Sequence, residues 1–275
     1  MPRARSYRYL FMRRLTQTGI LFLFFAGNVL GWTVLRGNLS TSHLLDRVTL
    51  ADPFAVLQIA ATGNMVTTEA LVGAGIVTLF FAAVGGRVFC SWVCPVNIVT
   101  DAANWLRRRL DLDRVERTPG LNRSARYWVV GVSLVLSSLL GVAAFEWISP
   151  ISMLHRGVVF GIGLGWAAVL AVFLFDLFIL RNGFCGHLCP LGGFYSLVGA
   201  VSLLRVRHDK EKCTLCMNCI EVCPERQVLP MVGKMSEVVT SGECTNCARC
   251  IEVCPDRAMK FGTRFMAGKK VEKGE

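Results

Sequence analysis

Eight cysteines of this 275-residue chain fall in two runs of one spacing. The first is Cys213, Cys216, Cys219, Cys223 followed by Pro224, and the second is Cys244, Cys247, Cys250, Cys254 followed by Pro255. Each reads C-x2-C-x2-C-x3-C-P, a run whose three close thiolates wrap one face of a [4Fe-4S] cube while the fourth serves the other cube. That rule assigns Cys213, Cys216, Cys219 and Cys254 to one cluster, and Cys244, Cys247, Cys250 and Cys223 to a second. Zinc is the competing chemistry, because C-x2-C pairs also build ribbons, but two complete four-cysteine runs exceed what a ribbon needs. A disulfide framework fits poorly with a reducing compartment.

The remaining four cysteines form two matched pairs, "FCSWVCPVN" with Cys90 and Cys94, and "FCGHLCPLG" with Cys185 and Cys189, offset by 95 residues. Three readings stand side by side. The four thiolates hold a further iron–sulfur centre, each pair is a redox-active dithiol, or all four are buried structural cysteines. We take the metal reading as the leading one. His187 lies inside the second pair where the first has Trp92, so imidazole is not a shared ligand. No C-x-x-C-H occurs, and covalent haem is not expected.

These thiols need elements to carry them. The chain is 53% hydrophobic with a mean hydropathy of +0.49, above the range of ordinary soluble domains. Four stretches lack Asp, Glu, Lys and Arg: Leu15 to Leu35, Ala70 to Gly86, Tyr127 to Phe145 and Gly157 to Phe175. At about 1.5 Å per residue, each run as an unbroken helix approaches the roughly 30 Å of a hydrocarbon core. They predict four transmembrane helices. Arginines crowd before the first stretch (Arg3, Arg5, Arg8, Arg13, Arg14) and between the second and third (Arg87, Arg107, Arg108, Arg109, Arg114, Arg117, Arg123, Arg126). The other two connections hold only Arg36, Arg47 and Arg156. The positive-inside bias therefore places both termini in the cytoplasm. Much of the net charge of +11 is then a topology signal, and a nucleic-acid partner is not expected. Arg13 and Arg14 before an apolar run also resemble an export signal, but no small-x-small cleavage site follows.

The chain reads as a duplicated unit. The segments "DPFAVLQ" (Asp52 to Gln58) and "SPISMLH" (Ser149 to His155) are offset by 97 residues, close to the offset of the cysteine pairs. After each pair comes a shorter piece, Val96 to Leu110 and Leu191 to Leu204, expected to lie at the inner surface with Trp105 as an anchor. Asp176, near the inner end of the fourth apolar stretch, is read as a snorkelled or paired structural carboxylate. His43, His155, Glu69 and Glu146 form a candidate set for handling protons on the outer side. The expected fold is a polytopic α-helical membrane protein with four transmembrane helices in a duplicated two-helix unit, residues 1–204. A cytoplasmic ferredoxin-like domain with two [4Fe-4S] clusters follows, residues 205–275. A transporter is a weaker reading, because the apolar stretches carry few ionisable residues.

With "FCSWVCPVN", "DAANWLRRR", "WISPISML", "FCGHLCP" and the two ferredoxin runs in this order, the chain resembles the NapH family, the membrane quinol dehydrogenase component of periplasmic nitrate reductase systems. The resemblance implies a multi-pass protein of the bacterial inner membrane that oxidises quinol. Electrons would pass through iron–sulfur centres to a periplasmic ferredoxin-like subunit of the NapG type, then through haem carriers to nitrate reductase. A ferredoxin domain expected inside and an acceptor expected outside require electrons to cross the membrane. The alternative, drawn from FixG-type relatives, is a membrane ferredoxin serving maturation or assembly of a metalloenzyme.

Overall fold

Each apolar stretch meets a backbone that stops its helix early. In the computed structural model, which describes residues 7–112, 122–161, 163 and 165–265, α1 spans Arg8–Val29 and α3 spans Thr68–Val84. Helix α5 spans Ala125–Leu140, and α7 and α8 are the short helices Pro150–Phe160 and Gly165–Leu174. Two glycines explain the last breaks. Gly141 adopts φ 68° and caps α5, and Gly161, at φ 104°, ends α7 inside the fourth stretch. The 16 residues of α5 cover about 24 Å, short of a bilayer core. In α1, Arg8, Arg13 and Arg14 occupy the first two turns and leave a 15-residue apolar remainder, Leu15–Val29.

Among the described residues no helix is long and apolar enough to cross a membrane. The expectation of a polytopic bundle with four transmembrane helices is thereby corrected. Hydropathy counts side chains and does not register where glycine lets the backbone turn out of the helix. Arg3, Arg5, Arg114 and Arg117, counted in the charge asymmetry, lie outside the described residues, as do Ile162 and Leu164 of the fourth stretch.

The chain divides into two compact units. The first gathers Met1–Arg13, Phe80–Trp92 and Tyr195–Glu275, so the segment with the cysteine runs shares its unit with two earlier stretches. Its sheet has the order β5-β4-β6, with β4 (Leu204–His208) antiparallel to both β5 (Glu237–Val238) and β6 (Met259–Thr263). Leu204 pairs with Thr263 and His208 with Met259. Val206, Val228, Leu229, Met231, Val232, Val239 and Met259 bury against Cys219 and Cys250. Two short helices, α10 (Asn218–Glu221) and α11 (Arg249–Glu252), carry those two cysteines. Phe81, Phe89 and Tyr195 form an aromatic cluster, Phe89 stacking on Tyr195 at 5.0 Å.

The second unit gathers Arg14–Leu79 and Val93–Phe194. It holds a three-stranded antiparallel sheet, β1 (Leu35–Gly37), β2 (Thr41–Leu44) and β3 (Val48–Ala51), followed by α2 (Pro53–Ala61). Helix α4 (Val96–Arg109) ends in three arginines, and Arg109 stacks over Trp105 at 5.5 Å. The short α6 (Ala144–Ile148) precedes α7. The two related segments start helices in one way. Asp52 caps α2 by accepting from the Ala55 N–H, and Ser149 caps α7 by accepting from the Ser152 N–H, each with proline at the first helical position.

Candidate iron–sulfur centres

The two cysteine runs fold into loops of matching conformation. Leu215 and Met217 in the first run have φ of 60° and 56°, and Asn246 and Ala248, their counterparts 31 residues on, have 48° and 60°. Non-glycine residues in the left-handed region are uncommon and carry strain, which a packed surround must hold. Alternating left- and right-handed residues turn successive N–H groups toward one side, the concavity that favours an anionic guest.

The loops enclose two cavities. One is lined by Cys213, Cys216, Cys219 and Cys254. The other is lined by Cys223, Cys244, Cys247 and Cys250. The fourth cysteine of each run thus sits with the first three of the other. Among the described residues no group of three or more His, Cys, Asp or Glu is arranged to hold a single metal ion. Four thiols spread around a cavity are instead a donor set that fits a cube with one sulfur ligand per iron corner.

Burial is felt by these thiols. It pushes Cys244 up to about 11 and Cys250 well above the usual thiol range, with Cys219 also raised. Neighbouring cysteines add to the rise at Cys250 and Cys219, whereas the Asn246 N–H and the cations Arg205 and Arg87 oppose it at Cys244. Thiols held protonated must release protons to a metal, so loading favours alkaline over acidic solution. The Ala258 N–H donates to Cys254 Sγ at 3.2 Å.

The four other cysteines occupy a repeated local structure. Cys90 lies in a π-helical turn, Phe89–Val93, and Cys185 in another, Phe184–Leu188. Such turns concentrate at functional sites. Cys94 and Cys189 follow directly and are buried, each leading through proline into α4 or α9 (Pro190–Gly199). Cys189 Sγ accepts from the Gly192 N–H at 3.4 Å, and the Cys94 carbonyl accepts from Gln17 at 3.2 Å. Cys90 belongs to the first unit, and Cys94, Cys185 and Cys189 to the second.

The residues between the paired cysteines do more than space them. Ser91 Oγ donates to the Thr245 carbonyl at 2.7 Å, and Trp92 Nε1 donates to the Asn246 carbonyl at 3.2 Å. Both acceptors lie between Cys244 and Cys247, so the first pair's turn is fastened to the loop of one four-cysteine cavity. Arg87 strengthens this corner through an ion pair with Glu225 at 2.7 Å, both side chains buried, and a bond to the Glu243 carbonyl at 2.9 Å. In the sequence Arg87 counts only as a topology charge, and Ser91 and Trp92 only as spacers. The signal available there was an arginine three residues before a cysteine in one copy of the repeat and an asparagine, Asn182, at the same place in the other.

Asp176 is fully buried, and its Oδ1 accepts from the Phe184 N–H at 3.0 Å, bracing the turn that carries Cys185. Arg107 donates to the carbonyls of Asp176 and Leu177. His187 is buried, with Nδ1 unpartnered. Glu146 accepts from Ser40 at 2.8 Å and Ser152 at 2.9 Å, and His155 is enclosed edge-on to Phe24 at 4.7 Å. His43 and Glu69 are exposed. The second unit also holds an apolar cavity of about 360 Å³ between α4, α7 and α8, lined by Val99, Met153, Gly157, Gly165, Trp166 and Phe173 among others.

Comparison with known proteins follows this geometry. Residues 66–112 and 159–208, which contain the two cysteine pairs, each match a 4Fe-4S binding domain model, and residues 205–255 match a 4Fe-4S dicluster domain model. The ferredoxin-type protein NapH of Escherichia coli is 45% identical over 270 residues, covering 97% of this chain and 93% of its own. NapH of Haemophilus influenzae is 46% identical, covering 94% and 91%. The methylamine utilization ferredoxin-type protein MauN of Methylorubrum extorquens is 44% identical, covering 87% and 83%. No solved structure matches. With this identity over nearly its whole length, the chain belongs to the NapH family of ferredoxin-type, iron–sulfur electron-transfer proteins.

Proposed function

We propose that the chain is a quinol-oxidising electron-transfer subunit that holds two [4Fe-4S] clusters and passes electrons through a NapG-type ferredoxin-like partner and haem carriers toward nitrate reductase. The observation that carries the reading is the pair of four-cysteine cavities, one of them bonded through Ser91 and Trp92 to the turn of the first cysteine pair. When bound, each cluster takes up and gives back one electron, so two of them divide the pair released by a quinol. The chain's cysteines hold the clusters, and the buried residues around Cys219 and Cys250 pack against them.

For Cys90, Cys94, Cys185 and Cys189 we propose a further iron–sulfur centre, a reading supported by the twofold match to a 4Fe-4S binding domain across both pairs. The apolar cavity between α4, α7 and α8 is our proposed seat for the quinol, since its lining suits an isoprenoid body and its size suits a small ligand. Exposed large side chains on α3 and α5, among them Leu71, Val72, Leu79, Trp128, Val135 and Leu139, support association with the bacterial inner membrane.

The test is anaerobic mixing of the loaded full chain with a reduced quinol analogue. Bleaching of the cluster absorbance is expected, and Trp166→Ala or Met153→Trp should slow it without loss of iron. Clusters that dithionite reduces and quinol does not would remove the quinol chemistry. A second reading, electron supply to the assembly or operation of a different metalloenzyme, is favoured by one observation: MauN relatives are about as similar as NapH relatives. It predicts reduction of the clusters by a donor other than quinol.

A further inference from the structure

The two four-cysteine cavities differ in the charge built around them. Behind the wall of the one lined by Cys223, Cys244, Cys247 and Cys250, and tied to Cys244 through a shared carbonyl, lies Arg205, a buried residue of β4 that is not itself a lining residue. Its guanidinium is held by backbone carbonyls: Ser202 at 3.1 Å, Ser241 at 2.8 Å, and Gly199. The Ser241 carbonyl also accepts from the Cys244 N–H at 3.4 Å, so the cation and the first cysteine of this set share one acceptor. Arg249 is the cation of the wall itself, and the wall carboxylate, Glu225, is neutralised by its ion pair with Arg87.

The cavity lined by Cys213, Cys216, Cys219 and Cys254 has no arginine or lysine among its lining residues. Its charged wall residue is Asp256, fixed by the Thr214 hydroxyl at 2.6 Å. His208 also lines it, with Nδ1 donating to the Met235 carbonyl at 2.8 Å.

Each electron makes a cluster more negative. A buried guanidinium stabilises that extra charge far more than water-screened charges do, and a carboxylate opposes it. We infer that the centre held by Cys223, Cys244, Cys247 and Cys250 has the higher reduction potential of the two, and that Arg205 is the residue that sets this order. The electron then rests in the cavity whose loop accepts from Ser91 and Trp92, next to the turn carrying Cys90. The inference rests on the proposal that both cavities hold [4Fe-4S] clusters.

The experiment is an anaerobic redox titration of the full chain followed by electron paramagnetic resonance, with iron counted on the same samples. Two separate one-electron steps are expected. Arg205→Gln should weaken the upper step by about tenfold in equilibrium, ~59 mV, and leave the lower step in place. Asp256→Asn should raise the lower step by about threefold, the scale of a half-exposed charge. An upper step unmoved by Arg205→Gln, or an Asp256→Asn shift on the upper step, overturns the inference. Should Arg205→Gln not fold, Asp256→Asn decides alone, since its shift must fall on the lower step. A full iron count with one unsplit step overturns the ordering while leaving the cluster reading intact, and a chain without iron overturns both.

Discussion

The two CxxxCP turns are copies in sequence and in local backbone, yet they are fastened by different chemistry. In the first, the residue three before the cysteine is Arg87, whose buried ion pair reaches Glu225, and the middle residues Ser91 and Trp92 bond the Cys244–Cys247 loop. In the second, the matching residue is Asn182, which accepts from Asn104 at 2.7 Å, and the middle residues are Gly186 and His187. Its turn is instead braced by Asp176. Duplication thus supplied two equal cysteine holders, and divergence at the intervening positions gave the first copy side-chain bonds to a ferredoxin loop. The difference teaches that the invariant part of the repeat holds thiols, while the variable part decides what each holder is joined to.

The largest expected break of this comparison is Arg87→Met. It leaves Glu225 buried without its cation and should cost about 3–5 kcal/mol in the first unit. Urea unfolding monitored by cluster absorbance would register that as early loss of colour. At the equivalent position Asn182→Leu removes a neutral hydrogen bond and strands part of Asn104, which should cost about 1–3 kcal/mol, with iron content kept. Equal costs for the two substitutions would erase the distinction between a charged and a neutral fastening. Smallest is Ser91→Ala, worth about 1 kcal/mol, and its mark should be local. Amide exchange should quicken between Cys244 and Cys247 and stay unchanged between Cys213 and Cys216.

Acidification sharpens the same picture from the ligand side. Burial pushes Cys244 up to about 11 and Cys250 well above the usual thiol range, so protons compete with iron in that cavity as pH falls. In the iron-free chain the sign reverses. A thiol raised from 9.0 to about 11 favours the folded state below pH ~9, and that contribution disappears as pH rises toward 11.

What was legible in the sequence had a spacing rule behind it. The x2-x2-x3 intervals are set by how three thiolates reach one face of a cube, so the two four-cysteine groups could be written down from residue numbers alone. The matched pairs at Cys90 and Cys185 were legible as a repeat for the same reason. Helix length was not. Gly141 and Gly161 sit inside the third and fourth apolar runs, and their positive-φ conformations appear only when the backbone is seen, which is why those two runs do not continue as helices. Nor were the fastenings legible: Arg87 to Glu225 is a bond across 138 residues, and Ser91 to Thr245 one across 154. Asp176 reads in the sequence as a snorkelled or paired structural carboxylate, and the structure buries it with Oδ1 accepting from the Phe184 N–H.

The central claim is that the eight cysteines of the two runs hold iron–sulfur cubes. Iron and acid-labile sulfide counted on the anaerobically isolated full chain, with electron paramagnetic resonance after dithionite, tests it most directly. The account predicts at least about eight irons and eight sulfides per chain with interacting [4Fe-4S] signals, falling by about four irons in Cys250→Ser. A colourless chain, or one carrying zinc in place of iron, would contradict it.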